Sequence, residues 1–208
     1  MKALLSTTYF GPVQWYQKLY RHEAVQIERW ESFLKQTYRN RCLIATTQGI
    51  QALTVPVERG TSQQIKDIRI SDHGNWRHLH WNALMSAYGE SPFFDYYQDD
   101  IRPFFEWHWD YLFDFNEAIR EKMCELLDIQ PKVSFTQSWG QVPEAQPSEP
   151  VPVTADFREA INPKHPLPDP DFEPKPYYQV YQQKYGFLPN LSVLDLLFNM
   201  GPEGIFYL

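Results

Sequence analysis

The first 27 residues show a short apolar run, a break at Gly11-Pro12, and then large side chains at helical spacing. Ala3 to Phe10 predicts a strand, and Pro12 suits the first turn of a helix that runs to about His22. Ala24 to Ile27 predicts a second strand. A strand, helix, strand order is typical of an α/β unit with a parallel strand pair.

Two further apolar stretches flank a turn that contains glycine. Arg39 to Ala45 and Ile50 to Val57 predict strands, and Thr47-Gln48-Gly49 between them is typical of a tight turn. Pro56 lies near the end of the second strand, where proline removes few ladder hydrogen bonds. An imperfect alternation of isoleucines predicts one more strand from Ile65 to Ile70.

From Asn75 onward, apolar positions recur every three or four residues. Asn75 suits a helix cap and Gly89 a helix end. The shared face of this helix carries Trp76, His80, Ala83, Leu84, Ala87 and Tyr88. The same spacing predicts a second helical region from about Asp99 to Leu127 and a last helix from Leu191 to Met200.

The segment 141–176 differs from the rest of the chain because it holds 10 of the 17 prolines. It predicts extended or polyproline-like chain and no folded layer. With seven acids and three bases it also carries −4 of the net charge of −7, so the remainder is close to balanced. The fold predicted from these elements is α/β, with a mixed sheet, flanking helices and this segment before the C-terminal helix, in a single domain over 1–208.

The acidic balance limits the partners that we expect. Binding to duplex phosphates needs an extended basic surface, so the sequence predicts no nucleic-acid partner. No apolar run reaches the roughly 18–20 residues of a membrane-spanning helix, and the N-terminus lacks the pattern of a signal peptide. We therefore expect a cytoplasmic protein with no membrane span.

The stretch KQTYRNR, from Lys35 to Arg41, places three cations and no acid in seven residues of this acidic chain. On a strand, Arg39 and Arg41 would project to one face. Two neighbouring guanidinium groups suit a phosphate or a carboxylate, to which Lys35 would add a charge. The alternative is an exposed strand whose cations form salt bridges with acids such as Glu28 or Glu31.

His80 lies on the apolar face of its predicted helix, so it suits either a general base or a hydrogen-bonded core residue. His73, His78 and His80 match no zinc-binding spacing, and Cys42 and Cys124 form no Cys-x-x-Cys pair, so no metal site is predicted. Ser-x-x-Asp at Ser192 is typical of a helix cap. No pattern in the sequence names a cofactor.

Several segments, taken in order, resemble the WbqC-like family of bacteria. They are the N-terminal aromatic turn with Tyr9, Pro12 and Trp15, then KQTYRNR with the Gly49 turn and LTVPV, then WRHLHWNALMSAYGESPFF, and finally GFLPNLSVLDLLFNMGPEG. Within KQTYRNR, Asn40 and Arg41 match the family pattern. One departure is Ser6-Thr7-Thr8, which stands where many members carry a Gln-Pro pair.

The family name comes from surface-polysaccharide gene clusters, so the resemblance implies a role in surface-glycan or glycolipid biosynthesis. We predict group transfer with an anionic small-molecule substrate, such as a nucleotide sugar or an acyl carrier. Arg41, Asn40, Lys35 and Arg39 would bind the substrate, Tyr9 and Trp15 would line the pocket, and His80 would move the proton. The alternative is a non-catalytic glycan-binding or assembly protein. The sequence leaves a homo-oligomer open.

Overall fold

The predicted α/β class is confirmed. The computed structural model describes residues 1–58, 60, 62–139 and 154–208. Its strands are β1 (Lys2–Ser6), β2 (Ala24–Glu28), β3 (Arg41–Thr46), β4 (Gly49–Thr54), β5 (Val133–Phe135) and β6 (Thr154–Asp156). Its helices are α1 (Val13–Arg21), α2 (Trp76–Tyr88), α3 (Phe94–Ile101), α4 (Pro103–Glu106), α5 (Leu112–Leu126), α6 (Gln182–Tyr185) and α7 (Val193–Met200).

Four strands form a parallel sheet in the order β5-β2-β1-β6, while β3 and β4 form a separate antiparallel hairpin. The parallel and antiparallel strand pairs therefore lie in two sheets. The predicted N-terminal unit is present, since α1 joins β1 to β2 and Lys2 pairs with Ala24. Ala3, Leu4 and Leu5 are all buried, which is typical of a central parallel strand covered on both faces.

Two predicted elements are different in the structure. Ile65–Asp67 is a single 3-10 turn, and the residues after it form only isolated bridges, at Arg69 and Ile70. The helix predicted from Asp99 to Leu127 is interrupted, because Pro103 begins a new helix and the chain around Trp109 is not helical. Proline lacks the N–H that would continue the preceding helix.

The proline-rich segment contains more structure than its composition predicts. Residues 141–153 lie outside the described residues, but Thr154–Asp156 forms the edge strand β6, which pairs with β1. Beyond it, Phe157 and Ile161 are buried. Asp169 forms an ion pair of 2.8 Å with Lys18 of α1. A short strand flanked by prolines is difficult to detect from composition, because its stability comes from pairing with β1.

Large aromatic side chains account for much of the core, among them Tyr9, Phe10, Trp15, Tyr16, Tyr88, Phe115 and Phe198. In the part of the chain that the structure describes, every helix is too short or too polar to cross a membrane.

Candidate active site at the carboxyl edge of the parallel sheet

The connections of the parallel sheet reverse direction beside β1. The chain passes from β1 outward through β2 to β5, and then returns to place β6 on the other side of β1. In open parallel sheets, ligands bind outside the carboxyl ends of the strands at such a reversal. The topology therefore predicts a ligand site beside the chain that follows Ser6 and Asp156.

A small cavity lies at this position. Its lining combines residues that follow β1 and β6 with two aromatic side chains and two arginines: Ser6, Thr8, Trp15, Tyr38, Arg39, Phe157, Arg158 and Ile161. Its volume is about 10 Å³, which is the room that about one water molecule needs. Only a small group of a ligand could enter the cavity without a rearrangement.

Arg39 lines the cavity and is held in place by the buried carboxylate of Glu31, which lies behind the lining. Its Nε donates to Glu31 Oε1 at 2.8 Å, and its Nη2 donates to Glu31 Oε2 at 2.6 Å and to Ser6 Oγ at 2.8 Å. Both side chains are about 95% buried. Such a fork is the geometry in which arginine holds a carboxylate most firmly.

Arg158 lines the same cavity and is more exposed. Its Nε and Nη2 donate to Asp156, with the shortest distance 2.7 Å, and its guanidinium lies over the ring of Trp139. Burial raises the pKa of Asp156, but the hydrogen bonds and charge of Arg158 outweigh this, and the net pKa is below its usual value. Asp156 is therefore ionised near neutral pH.

Glu28 is a second buried carboxylate at this edge. Its Oε1 accepts hydrogen bonds of 2.7 Å from the Trp30 amide and from Thr136 Oγ1. Its Oε2 lies 3.9 Å from Arg158 Nη1, which is beyond hydrogen-bonding distance. Among the described residues, Arg39 Nη1 and Arg158 Nη1 have no hydrogen-bond acceptor. Two guanidinium donors thus remain available at one cavity.

The start of α1 is occupied by the chain itself. In dinucleotide-binding folds, the helix that follows the first strand binds a phosphate with its free amides. Here the Val13 amide donates to Leu191 O at 3.0 Å, and the Gln14 amide donates to Asn190 Oδ1 at 3.0 Å. Because the C-terminal segment uses these donors, a phosphate at this edge would depend on side chains.

Of the predicted substrate-binding residues, Trp15 and Arg39 meet at the cavity. Lys35 is exposed in the turn that precedes Arg39. Asn40 is buried, and its Nδ2 donates to Val55 O at 2.8 Å. Arg41 begins β3 and donates to Thr54 Oγ1. Arg39 precedes the strand, so alternation does not place it beside Arg41, and it forms the salt bridge with Glu31 that the alternative interpretation named.

His80 and Tyr9 form a pair in the aromatic core. Tyr9 Oη and His80 Nδ1 are 2.9 Å apart, Tyr9 is fully buried, and His80 is 6% exposed. Rings of Trp76 and Phe105 lie against the imidazole. Burial lowers the pKa of His80 to about 4, so the ring is neutral near pH 7. This is the setting of a hydrogen-bonded core histidine, and its proton-transfer role stays a prediction.

The comparisons with known proteins agree with this family resemblance. The sequence matches the WbqC-like protein family over residues 7–160. The chain belongs to the WbqC-like protein family. It is also 27% identical over 195 residues to the uncharacterized protein Rv1507c of Mycobacterium tuberculosis (strain ATCC 25618 / H37Rv), covering 85% of this chain and 83% of that protein. No solved structure matches.

In this WbqC-like protein, the residues of the C-terminal motif have structural partners. Ser192 Oγ accepts from the Leu194 amide and so caps α7, as the Ser-x-x-Asp pattern predicts. Gly201 has a φ of 55°, and a Cβ there would lie 2.6 Å from the Phe93 ring. The motif therefore fixes the segment that covers the start of α1.

Sequence reasoning missed three groups of this site. Glu28 and Glu31 were predicted only as salt-bridge partners of surface cations. Arg158 lies in the segment that was predicted to be extended or polyproline-like chain. A signal for Glu28 existed, because it is the last residue of a strand next to β1. Nothing in the local pattern indicated Arg158. Among the described residues, no cluster of three or more His, Cys, Asp or Glu could hold a metal ion.

Proposed function

We propose that this WbqC-like protein is a group-transfer enzyme of surface-glycan or glycolipid biosynthesis that acts at the carboxyl edge of its parallel sheet. The observation that carries the proposal is the pair of arginines, Arg39 and Arg158, at one cavity where the sheet connections reverse. Each Nη1 lacks a hydrogen-bond acceptor among the described residues, although Arg158 Nη1 lies 3.9 Å from Glu28 Oε2, while a carboxylate fixes the rest of each side chain.

In this proposal the two Nη1 donors bind an oxygen of the anionic group of an activated substrate, such as a nucleotide sugar or an acyl carrier. Donors that are fixed before binding stabilise charge that develops on a leaving group without reorganisation. Lys35, which is exposed four residues before Arg39 in the chain, would add a charge that attracts the anion.

Glu28 is the carboxylate that we propose to accept the proton of the attacking hydroxyl or amine. Its Oε2 lacks a close partner among the described residues, and it is 3.9 Å from Arg158. Because Glu28 is buried and is not part of the cavity lining, this role requires a rearrangement that exposes its Oε2 to the substrate. Ser6 and Thr8 line the cavity at the position where this chain departs from the family's Gln-Pro pair, so we expect them to affect which substrate is accepted.

The test compares Arg158→Gln with Arg41→Gln, because both arginines are partly exposed and only Arg158 lines the cavity. Calorimetric titration with nucleotide sugars and with acyl-coenzyme A should show binding to the wild type and to Arg41→Gln, and at least about ten-fold weaker binding to Arg158→Gln, since a charged hydrogen bond contributes about 1.5–3 kcal/mol. The reverse result would place the anion-binding site at Arg41, in the KQTYRNR stretch. Equal binding by all three proteins would mean that neither arginine binds the substrate.

The small cavity weighs against catalysis on a sugar at this edge, so the second candidate function is a non-catalytic assembly role, or a glycan-binding role at another surface of the protein. Room for about one water molecule is far less than a sugar ring needs. Under this alternative, an uncharged glycan binds without turnover and Glu28→Gln leaves binding unchanged. Product formation that is lost in Glu28→Gln would exclude it.

A further inference from the structure

The hairpin of β3 and β4 has one covered edge and one open edge. On the β3 side, Leu43 O accepts from the Ser192 amide at 2.8 Å, and the Ala45 amide donates to Tyr88 Oη at 3.3 Å. Both residues therefore direct their backbone groups away from β4. The Leu43 carbonyl and the Ala45 amide on the outer edge of β3 are therefore already hydrogen-bonded within the protein.

The register of the hairpin identifies the outward groups of β4. Leu43 pairs with Ala52 and Ala45 pairs with Ile50. In an antiparallel pair, directly opposed residues either both direct their backbone groups toward each other or both direct them outward. Ile50 and Ala52 therefore present their N–H and C=O groups at the far edge. Within the described chain these four groups have no hydrogen-bond partner, and Ile50 is 53% exposed.

This edge also lacks the features that normally prevent strand pairing. Proteins protect exposed edges with charged side chains, prolines or bulges. The 13 residues from Cys42 to Thr54 contain no Asp, Glu, Lys, Arg, His or Pro, although 22% of the chain is Asp, Glu, Lys or Arg. An unprotected edge of this kind is suited to binding another strand.

A groove beside the edge provides space for the side chains of an added strand. It has a volume of about 570 Å³, and its floor includes the small residues Ala83, Ser86 and Ala87 of α2. The side chains that line it are all uncharged. A partner at this surface must therefore be an extended and uncharged segment.

We propose that β4 pairs antiparallel with β4 of a second copy of this chain. At a two-fold interface residue i of one copy faces residue j of the other and residue j faces residue i, so a charge on this six-residue strand would lie within a few residues of the same charge on the second copy. The uncharged β4 avoids this repulsion in a chain whose net charge is −7. The pairing joins two hairpins into one four-stranded antiparallel sheet. It is independent of the group-transfer proposal.

Two substitutions test the pairing through different properties of the strand. Ala52→Pro removes an outward N–H and no bond to β3, and proline is tolerated on an edge strand. Ile50→Lys places a like charge on both copies. Gln130→Lys, at an exposed position outside the hairpin and outside the lining of the groove, is the matched control because it adds the same charge away from the pairing edge. Circular dichroism verifies that each variant is folded.

Sedimentation across a dilution series should show a dimer for the wild type and for Gln130→Lys. Both edge variants should weaken the dimer by about ten-fold or more, Ala52→Pro because it removes a backbone hydrogen-bond donor from each copy and Ile50→Lys because it places like charges at the interface. Amide exchange should slow at Ile50 and Ala52 as the protein concentration rises. A monomeric wild type, or an Ala52→Pro dimer as strong as the wild type, would overturn the proposal. So would slowed exchange at these amides only when a neutral oligosaccharide or an uncharged peptide is added.

Discussion

Two of the regions that bury titratable side chains in this molecule do so in opposite ways. At the carboxyl edge of the parallel sheet, each buried carboxylate lies beside an arginine: Glu31 with Arg39, and Glu28 near Arg158. On the helical side, His80 and Asp195 are buried among neutral partners. His80 is hydrogen-bonded to Tyr9, while Asp195 accepts hydrogen bonds from neutral side chains, Tyr88, Tyr177 and Gln179, at 2.8 to 3.0 Å.

The difference has a consequence for function. A buried charge with a countercharge keeps its ionisation state, and a ligand of either sign can compete for one member of the pair. A buried group with neutral partners instead changes its proton affinity. Burial lowers the pKa of His80 to about 4 and raises the pKa of Asp195 to about 6. The first region is suited to binding a charged substrate, and the second holds elements of the fold together.

The largest expected effect comes from breaking a pair at the carboxyl edge. Arg39→Leu leaves Glu31 buried without its cation, which should lower the free energy of unfolding by about 3–5 kcal/mol. Arg41→Leu, which removes one hydrogen bond to Thr54, should cost about 1 kcal/mol. Urea unfolding near neutral pH measures both.

A double variant, Arg39→Leu with Glu31→Leu, is the control for this first prediction. Removing both charges should restore most of the lost stability, because apolar residues often replace a buried ion pair at little cost. If the single and double variants were equally unstable, the loss would come from packing, and the contrast between the two regions would not depend on charge.

His80 gives the second prediction, which tests the neutral region. Its pKa is about 4 in the folded protein and 6.5 as a free side chain. Between these values the unfolded chain binds the extra proton, so stability rises with pH across this window. The shift corresponds to about 3 kcal/mol. His80→Gln should remove this rise, which is measured as the difference between variant and wild type in unfolding experiments from pH 4 to pH 7.

The same variant bears on the catalytic role predicted for His80. A core histidine predicts that His80→Gln alters stability and its pH dependence while a folded variant keeps its activity. If the His80→Gln variant were fully folded and had lost its activity, with no change in the pH dependence of its stability, the result would instead favour proton transfer by His80.

Much of the fold could be predicted because its elements have strong local patterns. The β1-α1-β2 unit, the hairpin around Gly49 and the helix from Trp76 to Tyr88 lie where the apolar spacing places them. The strand β6 could not be predicted, because its three residues are flanked by prolines and are stabilised by β1. The proline at position 103 is a signal in the sequence for a helix interruption. The apolar spacing on either side of it nevertheless led to the prediction of one continuous helical region.

The candidate site was less predictable than the fold. Trp15 and Arg39 were among the predicted residues, yet the strand that was to align Arg39 with Arg41 begins two residues later. A cluster of charges in the sequence shows which charged residues are close along the chain, but it does not show which other residues they meet in the fold. The partner of Arg39 at the cavity, Arg158, follows a different strand more than 100 residues away, and only the sheet topology brings them together.

Asp195 gives the last prediction, and its pH dependence has the opposite sign to that of His80. Burial raises its pKa from 3.8 to about 6, although three hydrogen bonds oppose the shift. Between these values the folded protein binds the extra proton, so stability falls as pH rises and the loss is complete above about pH 6. The shift is slightly smaller than that of His80 and also corresponds to about 3 kcal/mol.

Asp195→Asn should remove this fall, so the variant should gain stability relative to the wild type from pH 4 to pH 6. Because the contributions of His80 and Asp195 are of similar size and opposite sign, the differences in stability between each single variant and the wild type should have opposite slopes, and in the double variant the two differences should nearly cancel. Unfolding measured at each pH tests this relation. Parallel slopes in the two single variants would mean that a countercharge lies near one of these groups, and the distinction between the two regions would be lost.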